Sequence, residues 1–160
     1  MFSKRQQGVD SVMVWGAFSG TKKCEFAVLN GKQDAVKYID TFESYLLPVV
    51  DQEMCPSWVL MQDAASIHRA KRTFQWFDEE IPLLECPAKS PDLNPIENLW
   101  RILARTVYAH QRQFKDVDEL LEVIMDAWDE VSEECLEKLV RSMQKRCFEC
   151  VMAKGGPTKY

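Results

Sequence analysis

Residues 57–100 read SWVLMQDAASIHRAKRTFQWFDEEIPLLECPAKSPDLNPIENLW, and this stretch sets the architecture. Ser57–Gln62 is a short apolar run and predicts a buried strand. Residues 70–80 carry Phe74 and Phe77 three apart and predict a helix with both rings inward. Ile81–Cys86 predicts another short strand, and residues 87–95, with three prolines, an ordered turn. Ile96, Leu99, Trp100, Leu103 and Val107 then recur at the three- and four-residue steps of a helix with one buried face.

Upstream, Ser11–Phe18 (SVMVWGAF) is rich in strand formers, Gly20–Lys23 reads as a turn, and Cys24–Leu29 as a second strand stopped by Asn30-Gly31. Residues 1–9 read as a loop. From Asp34 the period lengthens: Val36, Ile39, Phe42, Leu46 and Val49–Val50 mark an amphipathic helix. Downstream, Val117–Glu130 and Glu133–Ala153 read as two further helices. The second is patterned by Leu136, Leu139, Val140, Met143 and Cys147 and ends at Gly155-Gly156-Pro157. Strands alternating with helices predict a mixed sheet with helices on its faces, followed by an all-helical extension.

A chain of 160 residues, 46% apolar, with five tryptophans and eight phenylalanines, can bury a core without staples. No run approaches a membrane span and no charged-then-apolar leader opens the chain, so neither a membrane protein nor secretion is expected. The six cysteines have no framework spacing and read as reduced thiols. Cys147 and Cys150 form a lone CxxC without the further ligands that a zinc site requires. The net charge is −5, yet ten of the 25 acids lie between Asp116 and Glu137. Elsewhere basic clusters occur at Arg69–Arg72, at Arg101 and Arg105, and at Arg141, Lys145 and Arg146. Each can be a solvated helix face or part of a local basic surface.

Two acids stand where chemistry is usually placed. Asp63 directly follows a strand, at the end where α/β sheets bind ligands; it can equally be a turn or helix-capping residue. Glu97 follows Asn94-Pro95-Ile96, which fits Asn94 as the cap, Pro95 as the first helical residue and Glu97 reaching back in a capping box. Taken alone, Glu97 is explained by that local role.

Gln62-Asp63-Ala64-Ala65-Ser66-Ile67-His68 and Ser90-Pro91-Asp92-Leu93-Asn94-Pro95-Ile96-Glu97-Asn98-Leu99-Trp100 together resemble the two diagnostic motifs of the Tc/mariner superfamily of cut-and-paste transposases. The 33 residues between the two carboxylates are one short of the family's spacing of about 34. A deletion near Leu84–Cys86 would absorb the difference. Val12–Phe18, Tyr38-Ile39, Leu46-Leu47-Pro48, Ser142-Met143, Arg146-Cys147 and Lys154–Tyr160 also resemble family segments.

The resemblance implies a ribonuclease H-like fold of the DDE type and Mg²⁺- or Mn²⁺-dependent phosphoryl transfer at a two-metal site. Water would cut DNA at a transposon end, and the freed 3′-hydroxyl would attack target DNA. Hard cations require oxygen ligands, so Asp63 and Glu97 become the implied catalytic metal ligands. His68 would contact DNA phosphate or brace the site, unless it is a structural histidine. Asn94 is implied beside the site, and Asp92 is expected to order the Pro-rich turn. The implied partners are transposon-end and target DNA, and the implied location is nuclear.

Some family features have no counterpart in these residues. The family's first catalytic Asp lies on a central strand upstream of the segment matching SVMVWG; the acid nearest that place is Asp10, before the wrong strand. That strand is expected to be missing, which would leave sheet edges open to pairing with another chain, and so to homo-oligomers, or with each other. The helix-turn-helix modules that read transposon ends are also expected to be absent. Ala64 and Ser66 replace the family's Asn and Pro. The expected organisation is one partial catalytic domain: residues 1–10 as loop, 11–112 as ribonuclease H-like core and 113–160 as C-terminal helices. The expected function is part of a transposase catalytic domain, inactive alone; the alternative is a non-catalytic remnant that binds DNA or protein.

Overall fold

The computed structural model describes residues 2–3, 11–53, 57–62, 75–77, 81–84 and 90–160. Along the chain run strands β1 (Phe2–Ser3), β2 (Ser11–Trp15), β3 (Phe18–Ser19), β4 (Lys22–Lys23) and β5 (Ala27–Leu29). The helices are α1 (Ala35–Thr41), α2 (Leu47–Glu53), α3 (Pro95–Val107), α4 (Val117–Asp129) and α5 (Glu133–Met152). The chain divides into two compact units, Met1–Asn30 with Ile96–Arg141, and Gly31–Pro95 with Ser142–Tyr160.

In the first unit β2 lies between β1 and β5, antiparallel to both, with Phe2 opposite Val12 and Val14 opposite Val28. The loop expected over residues 1–9 thus contains a strand at Phe2–Ser3. Backbone amides and carbonyls of Ser11 and Val12 need partners, and a two-residue strand supplies them. Asp10 lies outside the described residues.

The strand expected over Ser11–Phe18 breaks after Trp15. There the Ala17 amide donates to Cys24 Sγ at 2.9 Å, and the Cys24 amide donates to the Ala17 carbonyl at 2.9 Å. Lys22–Lys23, expected in a turn, forms a strand with Phe18–Ser19, because Gly20 at φ +55° lets Gly20-Thr21 alone reverse the chain.

Against the sheet, α3 buries Leu99, Leu103 and Val107, one turn apart, while α4 buries Leu120, Ile124, Ala127 and Trp128. Val12, Phe114 and Leu136 complete that core. The Trp128 indole stacks on Trp100 at 5.7 Å and donates from Nε1 to the Cys24 carbonyl at 3.1 Å. Lys23 closes the C-terminal end of α4, donating from Nζ to the carbonyls of Trp128, Asp129 (2.9 Å) and Val131 (3.2 Å), where the helix end supplies no regular four-residue bond.

In the second unit α1 passes into α2 through a π-helical stretch, Phe42–Leu46. The Leu47 amide there bonds back five residues to Phe42. Pro48 has no N–H for a regular helical bond, and a π bulge is one way a helix absorbs such a break. Tyr38, Phe42, Trp76 and Phe77 form an aromatic cluster, with Phe42 and Phe77 5.3 Å apart. Of the helix expected over residues 70–80, Gln75–Phe77 is described; Phe77 is buried as expected, and Phe74 lies outside the described residues.

The two short strands expected at Ser57–Gln62 and Ile81–Cys86 meet as one parallel bridge, Leu60 with Leu83. The Leu60 amide donates to Pro82 at 2.8 Å and Leu84 donates to Leu60 at 2.7 Å. Tyr38 Oη donates to Gln62 Oε1 at 2.8 Å, fixing the residue that precedes Asp63.

Candidate active site

Ser90–Trp100 folds as a short turn feeding a helix. Pro91–Leu93 is a single 3₁₀ turn; Leu93 and Asn94 amides donate to the Ser90 and Pro91 carbonyls, each at 3.1 Å. Pro95 cannot donate and disfavours the helical region at the residue before it, so Asn94 is extended (φ −98°, ψ 109°) and α3 begins at Pro95. Asn94 is 8% exposed, enclosed by this junction.

Glu97 lies in the first turn of α3 and is partly buried. A capping box would turn its carboxylate back onto the Asn94 N–H. That N–H is already given to Pro91. The local role that explained Glu97 from sequence is therefore weakened, and its carboxylate has no hydrogen-bond or ion-pair partner among the described residues. Beside it, Asn98 Oδ1 is enclosed without a hydrogen-bond partner among them.

Asp92 does order the turn. Its Oδ2 accepts the Thr158 amide at 2.7 Å, and that bond first of all holds its carboxyl below the ordinary value. Its carbonyl accepts Arg146 Nη1 at 2.6 Å. Arg146 is 1% exposed, donates from Nε to Ser142 Oγ at 2.8 Å, and lies over the Tyr160 ring at 4.3 Å. Lys159 pairs with Glu149 at 3.0 Å. The C-terminal segment is thus fastened to the turn before α3.

Of the residues singled out from sequence, Asn94 and Glu97 come together at the α3 start, whereas Asp63 and His68 lie outside the described residues. Among the described residues no three His, Cys, Asp or Glu side chains gather into a metal-binding group. Cys147 and Cys150 are free thiols. The donor chemistry at Glu97 nonetheless fits a hard divalent cation, which takes carboxylate oxygen. Arg146 was legible only as a member of a basic cluster. The signal that finds it is its place on the apolar stripe Leu136, Leu139, Met143, where a charge must be enclosed or the helix face must open.

The described fold is similar to the Mos1 mariner transposase catalytic domain. It covers 92% of this chain and 78% of the Mos1 catalytic-domain structure with raltegravir and Mn, with a TM-score of 0.77 at 14% identity. In the Mos1 paired-end complex with the left transposon end, the match covers 96% of this chain and 46% of that chain, with a TM-score of 0.84 and 14% identity. These likenesses show a ribonuclease H-like fold. Residues 3–121 match the family described as DDE superfamily endonuclease, and the chain belongs to that family. It is 40% identical to the Tc3 transposase of Caenorhabditis elegans over 161 aligned positions, covering 100% of this chain and 49% of that protein. To the Tc1 transposase of the same organism it is 32% identical, covering 97% of this chain and 56% of the relative. The chain thus spans about half the length of the relatives it matches. Among the described residues no helix is long and apolar enough to cross a membrane.

Proposed function

We propose that these 160 residues are catalytic-domain sequence of a Tc/mariner cut-and-paste DNA transposase, with Asp63 and Glu97 as two of its metal-holding carboxylates. The 40% identity to the Tc3 transposase, over the whole of this chain and 49% of that protein, carries this reading. It is supported by the start of α3, where Asn94 is committed to Pro91 and Glu97 is left without a partner among the described residues. When bound, Mg²⁺ or Mn²⁺ would supply charge neutralisation at the entering and leaving oxygens of a phosphodiester. Glu97 would hold its cation from the helix start and Asp63 from the end of the strand through Gln62, with His68 against phosphate and Asn94 bracing the junction. The substrate would be transposon-end and target DNA in the nucleus, handled by self-associated copies. Residues 1–160 would form one domain, its carboxylate set incomplete within this stretch.

Manganese calorimetry tests the site. The parent chain is expected to bind Mn²⁺ weakly, and Asp63→Ala or Glu97→Ala to abolish the heat. Undiminished binding by Asp63→Ala would remove the proposed site and favour a non-catalytic role, to which Ala64 in place of the family's Asn also points.

A further inference from the structure

We infer that Cys147 and Cys150 of one chain join the same pair of a second copy to hold one zinc ion, so that the end of α5 forms a metal-sealed contact between two chains. The pair is a CxxC inside a helix, and residues three apart on a helix are neighbours on its surface. Both are free thiols, Cys147 exposed and Cys150 partly so. Thiolates are soft ligands that suit Zn²⁺, and a structural zinc takes four ligands in a closed tetrahedron. Among the described residues of one chain no further His, Cys, Asp or Glu completes such a group. The pair is therefore half of what the metal takes, and a second copy related by a two-fold axis brings the other half.

The surroundings of the pair favour a second copy as the occupant. Phe148, Val151 and Met152 are 64%, 73% and 67% exposed. Val151 lies one helical turn from both Cys147 and Phe148, and Met152 one turn from Phe148, so the thiols border an apolar strip. Folded chains seldom leave such a strip to water, and the same strip on a second copy would cover it. Charge agrees. Four thiolates around Zn²⁺ form a dianion, which attracts bases and repels acids. Lys145 and Lys154 flank the strip in sequence. Glu149, the acid between the two cysteines, is already paired with Lys159 at 3.0 Å. Two copies thus bring lysines to an anionic centre, and without the metal those lysines repel one another. The helix dipole also favours a cation near a C-terminus, and both cysteines lie in the last two turns of α5.

The test uses the 160-residue chain with a phosphine reductant present. Titration with Co²⁺, a spectroscopic stand-in for zinc, should produce thiolate-to-metal charge-transfer absorption that saturates at one ion for each pair of chains. Carboxylate ligation at Asp63 and Glu97 gives no such band, so that site does not register. Each thiol gives up its proton to solvent on binding, so affinity should rise with pH. Zn²⁺ should displace Co²⁺, and sedimentation should show the mass doubling with zinc and reverting with a chelator. Cys147→Ser and Cys150→Ser should each lose the band and the zinc-dependent association, whereas Cys135→Ser should retain both. Phe148→Ala keeps the thiols and should weaken that association about ten-fold, because it removes part of the apolar cover. Saturation at one ion per chain without a change in mass would overturn the shared site, as would a band that survives in Cys147→Ser. Association seen only when the reductant is omitted would mean a disulfide between copies and would equally overturn it.

Discussion

Asp92 and Cys24 have their ionisation shifted, one by a hydrogen bond and the other by enclosure, and each makes a measurable claim. The Asp92 carboxyl lies below its ordinary value of 3.8, first because it accepts the Thr158 amide. A lowered folded-state value means the bond contributes fully above the unfolded carboxyl's value and is lost as pH falls through the folded one. The Thr158 amide proton should therefore keep its bonded chemical shift from neutral pH down to the ordinary carboxylate range and move only in stronger acid. A shift that moves at or above 3.8 would mean the bond does not form in solution.

Cys24 is the opposite case. Burial pushes its thiol up to about 11, although the Ala17 amide donates to its sulfur. The thiolate is the reactive form, so Cys24 should resist alkylation at pH 8 until the chain unfolds, whereas exposed Cys147 should react in the folded state. Mass-mapped labelling decides this; equal rates at the two positions would contradict the enclosure of Cys24.

At the level of elements, the tightest constraint is where β2 ends. A Cβ placed on Gly16 would lie 2.7 Å from Cη2 of Trp128, and the indole cannot easily retreat because it stacks on Trp100 and donates to Cys24. Gly16→Ala should cost about 1–3 kcal/mol, the usual range for overpacking a filled core. Urea unfolding that showed no loss would mean that Trp128 repacks freely. The helices were the most legible elements in the sequence. A 3.6-residue apolar period over Ile96–Val107 and Val117–Glu130 reports burial directly, and both helices lie where the period put them. Strands fared less evenly. Ser57–Gln62 and Ile81–Cys86 yield one bridge among the described residues, because apolar runs reveal burial without revealing which backbones pair or how far they stay in register. Phe2–Ser3 gave no signal, since two residues are too few to show alternation. The burial of Arg146 was hidden for a different reason: a charged residue near Arg141 and Lys145 reads as solvated face, and only tertiary contact shows it enclosed.

For the whole molecule, the decisive question is whether this stretch can cut DNA. The motif resemblance supplies Asp63 and Glu97, and the family match and the 40% identity to a transposase place the sequence in an endonuclease lineage. In-line displacement at phosphorus requires charge neutralisation at both the entering and the leaving oxygen, and the proposed site offers two carboxylates for the cations that provide it. Asp10, the acid nearest the place of the family's first ligand in sequence, lies outside the described residues. A site held by Asp63 and Glu97 alone would give low cation occupancy at millimolar Mg²⁺, and would hold a second cation least well. The expected outcome is that the 160-residue chain, incubated with supercoiled plasmid and Mn²⁺, gives no nicking above that of its Asp63→Ala variant. Metal-dependent nicking by the parent, abolished by Asp63→Ala, would require a third ligand within these 160 residues, and Asp10→Ala would then be the first substitution to make.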